Sequence, residues 1–148
     1  MRLALLVHLL GVVFWVGGMA FAHVALRPAV AAWDPPARLR LLHAVFVRFI
    51  PLAGIAVVAI LVSGVWMIAL LGGMDKVAVN VHGMATLGVV MMIIYVYILL
   101  RPYRALRQAV AAEAWKPAGE AMRTIRVLVT VNLALGVIVI AIATLPWW

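Results

Sequence analysis

The sequence predicts an all-α membrane protein: a bundle of four transmembrane helices, both termini outside, with a basic interfacial helix before the second span. Three observations carry this. Of 148 residues, 69% are hydrophobic and only 11% charged, with a mean hydropathy of +1.24, whereas a soluble domain is about half apolar. Four apolar runs, 3–26, 49–71, 77–100 and 127–145, each suffice to cross ~30 Å of hydrocarbon at ~1.5 Å per residue. Finally, the connections 27–48 and 101–126 hold ten of the 12 basic residues, leaving Arg2 and Lys76 opposite. The positive-inside rule makes those two connections cytoplasmic. The whole chain, 1–148, reads as a single integral membrane domain.

The first run is apolar except for His8 and His23, with Gly11, Trp15, Gly17 and Gly18 between them. Arg2 and Ala20-Phe21-Ala22 imitate a secretory signal with its cleavage site, but the apolar run continues past that point, so the segment is expected to remain as a span. In the first connection, Asp34-Pro35-Pro36 is a helix start, an N-cap followed by prolines in the first turn. Helix is expected to continue through Arg38, Arg40, His43 and Arg48 into the second span, with a kink at Pro51. Gly72-Gly73 predicts a tight turn into the third span. That span is expected to continue as helix beyond Pro102, ending before Pro117-Ala118-Gly119. Trp33, Tyr95, Tyr97 and Tyr103 fall near the inner interface, and Trp66, Trp147 and Trp148 near the outer one, as in an aromatic belt.

Composition also excludes chemistry. The chain has no cysteine, so disulfides, thiolate metal sites, iron–sulfur clusters and cysteine-attached haem are ruled out. A net charge of +8 in such a chain encodes topology and contact with the anionic lipid bilayer, with no nucleic-acid partner implied. The four acids all lie in connections, which argues against a carrier driven by an intramembrane carboxylate.

The four histidines are the candidate functional residues, because ionisable groups inside a span default to a functional reading. His8 and His82 each sit about five residues in from the outer end of spans one and three, ~7–8 Å deep. His23 and His43 form a looser inner pair. Two histidines at matched depth on two helices suit the axial positions of haem b, with Gly11, Trp15 and Gly18 near His8 on the helical wheel giving the porphyrin room. Arg27 and Arg48 lie close enough to the inner pair to meet propionates. His8 and His23, ~22 Å apart along the axis, resemble the two-haem helices of respiratory cytochromes b. Copper is the alternative occupant: Cu(I) favours imidazole and thioether, and Met67, Met74 and Met84 project to the same outer third as His8 and His82. Asn132 in the fourth run reads as interhelical glue.

The phrase His8-Leu9-Leu10-Gly11, followed by Trp15 and Gly17-Gly18, resembles the opening of the copper-resistance protein D (CopD) family. The closing Arg126-Val127, Val131-Asn132 and Gly136 resemble the last helix of its small four-span members. The opening is also similar to that of HemJ-type protoporphyrinogen oxidases, although the lysine expected in their third span has no counterpart at His82-Gly83-Met84. The resemblance implies a multi-pass protein of the bacterial inner membrane, with His8 as the functional histidine. Together with the paired histidines it suggests a protein binding haem b between spans one and three. Electron transfer would then be linked to copper or quinone redox chemistry, with a quinone or redox partner at the outer face. A haem-free copper transport protein and a HemJ-like porphyrinogen oxidase are the alternatives. A homodimer burying part of the cofactor edge fits four such short helices. Whether the chain is an enzyme is left open.

Overall fold

A computed structural model of the chain describes residues 1–145. Among them the secondary structure is helical: α1 (Arg2–Phe21), a π-helical turn (Ala22–Leu26), α2 (Arg27–Ala29), α3 (Pro35–Leu70), a 3₁₀ turn (Met74–Lys76), α4 (Val79–Leu100), α5 (Pro102–Ala111) and α6 (Trp115–Thr144). Trp147 and Trp148, assigned from sequence to the outer belt, lie outside the described residues. Four helical stretches are long and apolar enough to cross a membrane. Much of their outer surface is exposed leucine, valine and isoleucine, which suits lipid as the surrounding solvent.

The elements follow from local chemistry. α1 carries on as far as Ala29 only by widening into the π turn. Pro28 has no N–H, and its ring crowds the carbonyl one turn back, so the backbone absorbs the misfit as an extra residue per turn. Asp34 sits at the N-cap position of α3 with extended backbone, and Pro35 and Pro36 open the first turn. The Asp34 carbonyl takes the Arg38 N–H at 2.9 Å, although the Asp34 side chain caps nothing. At 36 residues, α3 is ~54 Å long, well beyond the hydrocarbon thickness. The expected basic interfacial helix is therefore the first turns of this one helix. Gly72 and Gly73, at φ +96° and +99°, close α3 with a Schellman pair: Gly73 N–H to Ile68 O at 3.0 Å and Gly72 N–H to Ala69 O at 3.1 Å.

The third connection differs from expectation. The helix breaks at Arg101 (φ −115°, ψ −84°) because it precedes Pro102. It breaks again at Glu113, the one non-glycine residue at positive φ (52°) among those described. Pro117, Ala118 and Gly119, expected to end a helix, instead fall in the first turns of α6, where a missing N–H costs nothing. Between the breaks, α5 buries Leu106 and Ala109 against α6 and exposes Arg104 and Arg107. Arg40 pairs with Glu113 at 2.7 Å and lies over the Trp115 ring at 4.9 Å, tying α3 to the α5–α6 turn.

α1 packs along α3, and α6 packs along both α4 and α5 while touching α1 and α3. The interior is two clusters. One, at the basic end, joins Leu39, Ile98, Leu106, Ala118 and Ile125; the other, at mid-depth, joins Trp15, Met19, Ala53, Val57 and Met91.

Candidate functional site

His8 is half-buried and faces α3. Its Nδ1 lies 3.1 Å from the Ile60 carbonyl oxygen and 3.0 Å from Ser63 Oγ. A carbonyl can only accept, so Nδ1 carries the proton and donates it. Ser63 Oγ in turn donates to the Ala59 carbonyl at 2.5 Å, leaving its oxygen free to accept from His8. The consequence is a fixed tautomer: Nε2 keeps its lone pair and is the ring atom left for a ligand. Gly64 makes the approach possible, since a Cβ there would lie 3.3 Å from His8 Cε1. Met67 follows Ser63 by one turn on the same side of α3 and is half-buried.

His82, the expected partner of His8, has different surroundings. His82 is exposed in the first turn of α4 and bonds only to its own helix, Nδ1 to Ala78 O at 3.3 Å. α1 and α4 do not pack along their lengths. They meet at mid-depth, where Trp15 and Tyr95 stand edge to face with centroids 6.2 Å apart. Depth fixes height but not which helices are neighbours, and His8 and His82 share no hydrogen-bond partner among the described residues. The glycines assigned to a porphyrin slot serve the α1–α3 contact instead. A Cβ on Gly11 would come within 2.8 Å of Ile60, and one on Gly18 would run into the Phe49 ring. Met74 is exposed in the 3₁₀ turn, and Met84 is half-buried on α4. Among the described residues no group of three or more histidines and acids is placed to hold a metal ion.

The inner histidines also separate. His43 stacks on Tyr103 of α5, centroids 6.5 Å apart, with its Nε2 buried and without a partner. His23, in the π turn, is 3.4 Å from Thr130 Oγ1 on α6 and lines a partly open cavity. Arg48 is exposed and reaches back to the Ala44 carbonyl at 3.3 Å, away from that cavity.

The cavity, of about 350 Å³, opens where the two interior clusters meet. That is within the ~300–1,000 Å³ usual for small-molecule sites. Trp15, Met19, Phe46 and Phe49 supply an apolar wall, and Arg27, Arg38 and Arg126 stand at its basic end. No acidic residue lines it among those described. Asn132, 1% exposed, is in the wall, and its Oδ1 has no hydrogen-bond partner. Leaving such a group unpaired costs ~1–3 kcal/mol. Asn132 therefore serves as cavity wall, and the interhelical hydrogen bond expected of it is absent. Sequence reading missed the site as a unit. The signal was present in α6, where Gly119, Met122, Ile125, Val129 and Asn132 recur at spacings of three and four, one face of a helix.

The architecture defines a class: a multi-pass, all-α membrane protein with a half-buried histidine toward one end and a basic cavity toward the other. A family model, copper resistance protein D, matches residues 43–145, and the chain belongs to that family. It is a copper-resistance-related membrane protein. The match includes Asn132 and Gly136 of the closing motif and begins after α1, so the His8 motif lies before it. Neither a curated protein nor a solved structure matches the chain.

Proposed function

We propose that the chain binds Cu(I) as cargo at the end of the bundle where α1 begins and α3 ends, with His8 Nε2 as the anchoring ligand and the Met67 thioether beside it. The observation that carries this is the Nδ1–H···O=C bond from His8 to Ile60. A ligating histidine commonly donates its second nitrogen to a carbonyl, which fixes the tautomer and raises the basicity of the other nitrogen. Imidazole with thioether is a donor set that suits Cu(I) in a chain without cysteine. The charge asymmetry of the connections supports, through the positive-inside rule, an outward-facing position for this end. Haem held by His8 and His82 finds less support, because the two rings are presented to different neighbours.

The test is Cu(I) titration of the purified full chain in detergent against a chromogenic Cu(I) chelator. His8→Ala is expected to abolish chelator-competitive binding, Met67→Leu to weaken it, and His82→Ala to leave it unchanged. Wild-type affinity in His8→Ala, or a reduced haem spectrum lost in both histidine variants, refutes the proposal.

A further inference from the structure

The basic cavity is separate from the His8 site and is not used by it. We infer that it is a binding site for a membrane-soluble amphipathic acid: an anionic group held by Arg27, Arg38 and Arg126, an apolar body against Trp15 and Phe49, and a hydroxyl on that body bonded to Asn132. This inference does not depend on the copper reading.

Charge comes first. Arg126 lies within electrostatic reach of Arg27, Arg38 and Arg123, so three arginines lining one cavity repel each other with nothing of opposite sign in its wall. The one ion pair among the described residues uses Arg40 and Glu113, neither of which lines the cavity. Asp34 and Glu120 are adjacent to lining residues but lie outside the wall; like Arg27 and Arg126 they are exposed, and neither acid forms an ion pair among the described residues. Arg38 donates to the Ala31 carbonyl at 3.2 Å, which holds one guanidinium at the cavity mouth with donors to spare. An anion relieves this repulsion, and arginine's planar fork suits phosphate and carboxylate alike.

The wall then restricts the kind of anion. A small inorganic ion would satisfy the arginines and leave the aromatic and aliphatic wall bare. The arginines also stand at the basic ends of the spans, at the depth of the membrane–water interface, whereas the aromatic wall continues toward mid-depth. An acid with an apolar body matches both parts.

Asn132 adds the third requirement. It is six residues beyond Arg126 along α6, ~9 Å deeper by helical rise, and its buried carboxamide oxygen is unpaired. A hydroxyl both donates and accepts, so it serves either end of the carboxamide. The π turn brings a further polar group, His23, to the same wall; such turns recur at functional positions because they re-aim side chains.

The experiment uses the full chain in mild detergent, with Trp15 and Trp115 in the cavity wall as fluorescent reporters and native mass spectrometry to count adducts. The probes are 12-hydroxydodecanoate, dodecanoate and methyl 12-hydroxydodecanoate. The hydroxy acid is expected to bind at one per chain, at least tenfold tighter than its methyl ester and measurably tighter than dodecanoate. Arg126→Gln is expected to weaken both acids at least tenfold, with Arg126→Lys restoring part of the loss. Asn132→Leu is expected to erase the preference for the hydroxy acid over dodecanoate while leaving dodecanoate binding intact. That difference between two ligands on one variant separates recognition from misfolding. Displacement of the hydroxy acid by phosphatidylglycerol but not phosphatidylcholine makes an acidic lipid the source of the anion; no displacement by either makes it a free acid. Equal binding of acid and ester, or an undiminished hydroxyl preference in Asn132→Leu, overturns the inference.

Discussion

His8 and Asn132 are both polar groups inside an apolar bundle, and they are treated oppositely. His8 is satisfied at one nitrogen and free at the other; the Asn132 oxygen has no partner. Ser63→Ala tests the first arrangement. Losing the hydroxyl removes one of two acceptors that orient the ring, so Cu(I) affinity is expected to fall ~10-fold, the lower end of what outer ligand partners contribute. An unchanged affinity in the chelator competition would mean that Ile60 alone sets the tautomer. Asn132→Leu tests the second. Replacing an unpaired buried amide by an apolar side chain of similar size is expected to stabilise the protein by ~1 kcal/mol, because the cost of the unmade bond disappears. Thermal unfolding in detergent should therefore give a higher midpoint for Asn132→Leu, in the variant expected to lose hydroxyl recognition. A lower midpoint would show that Asn132 holds the bundle together.

At the scale of the elements, the α1–α3 seam depends on where glycine falls. A Cβ on Gly18 meets the Phe49 ring, whereas one on Gly17 meets nothing within 4 Å. Gly18→Ala is thus expected to destabilise by ~1–3 kcal/mol through overpacking. Gly17→Ala should be neutral or stabilising by up to ~1 kcal/mol, since alanine is the better helix former. Equal unfolding midpoints for the two variants would refute this account of the seam. The same seam explains what could be read from sequence. Four apolar runs, the Asp34-Pro35-Pro36 start and the Gly72-Gly73 stop are local signals; each run coincides with a helical stretch, although α6 begins twelve residues before its run, at Trp115. The π turn at Ala22–Leu26 and the break at Glu113 were not legible. The first depends on how helix geometry responds to Pro28, and the second on a residue held at positive φ where glycine is the usual choice. The His8–His82 pairing was read from depth alone. Periodicity gives depth and face along one helix, but the choice of α3 rather than α4 as the neighbour of α1 arises only when the bundle assembles.

At the scale of the whole molecule, the two sites gain their meaning from orientation. His8 and the arginine cavity are displaced toward opposite ends of the bundle, one away from the basic connections and the other at the basic end. If the basic connections are cytoplasmic, the copper proposed for His8 comes from outside and the amphipathic acid proposed for the cavity from the inner leaflet. Reversal would exchange these assignments without altering any contact in the fold. The chain has no cysteine, which makes the question directly testable. Asp75→Cys places a thiol in the exposed 3₁₀ turn between α3 and α4, and Ala112→Cys places one in the exposed α5–α6 turn. In intact cells a membrane-impermeant maleimide is expected to label the first and to reach the second only after permeabilisation. The energetic basis is the asymmetry of Lys and Arg between the connections, which biases each flanking helix the same way. Ala112→Cys labelled in intact cells, with Asp75→Cys protected, would put the arginines outside. In that event Cu(I) would have to reach His8 from the cytoplasm.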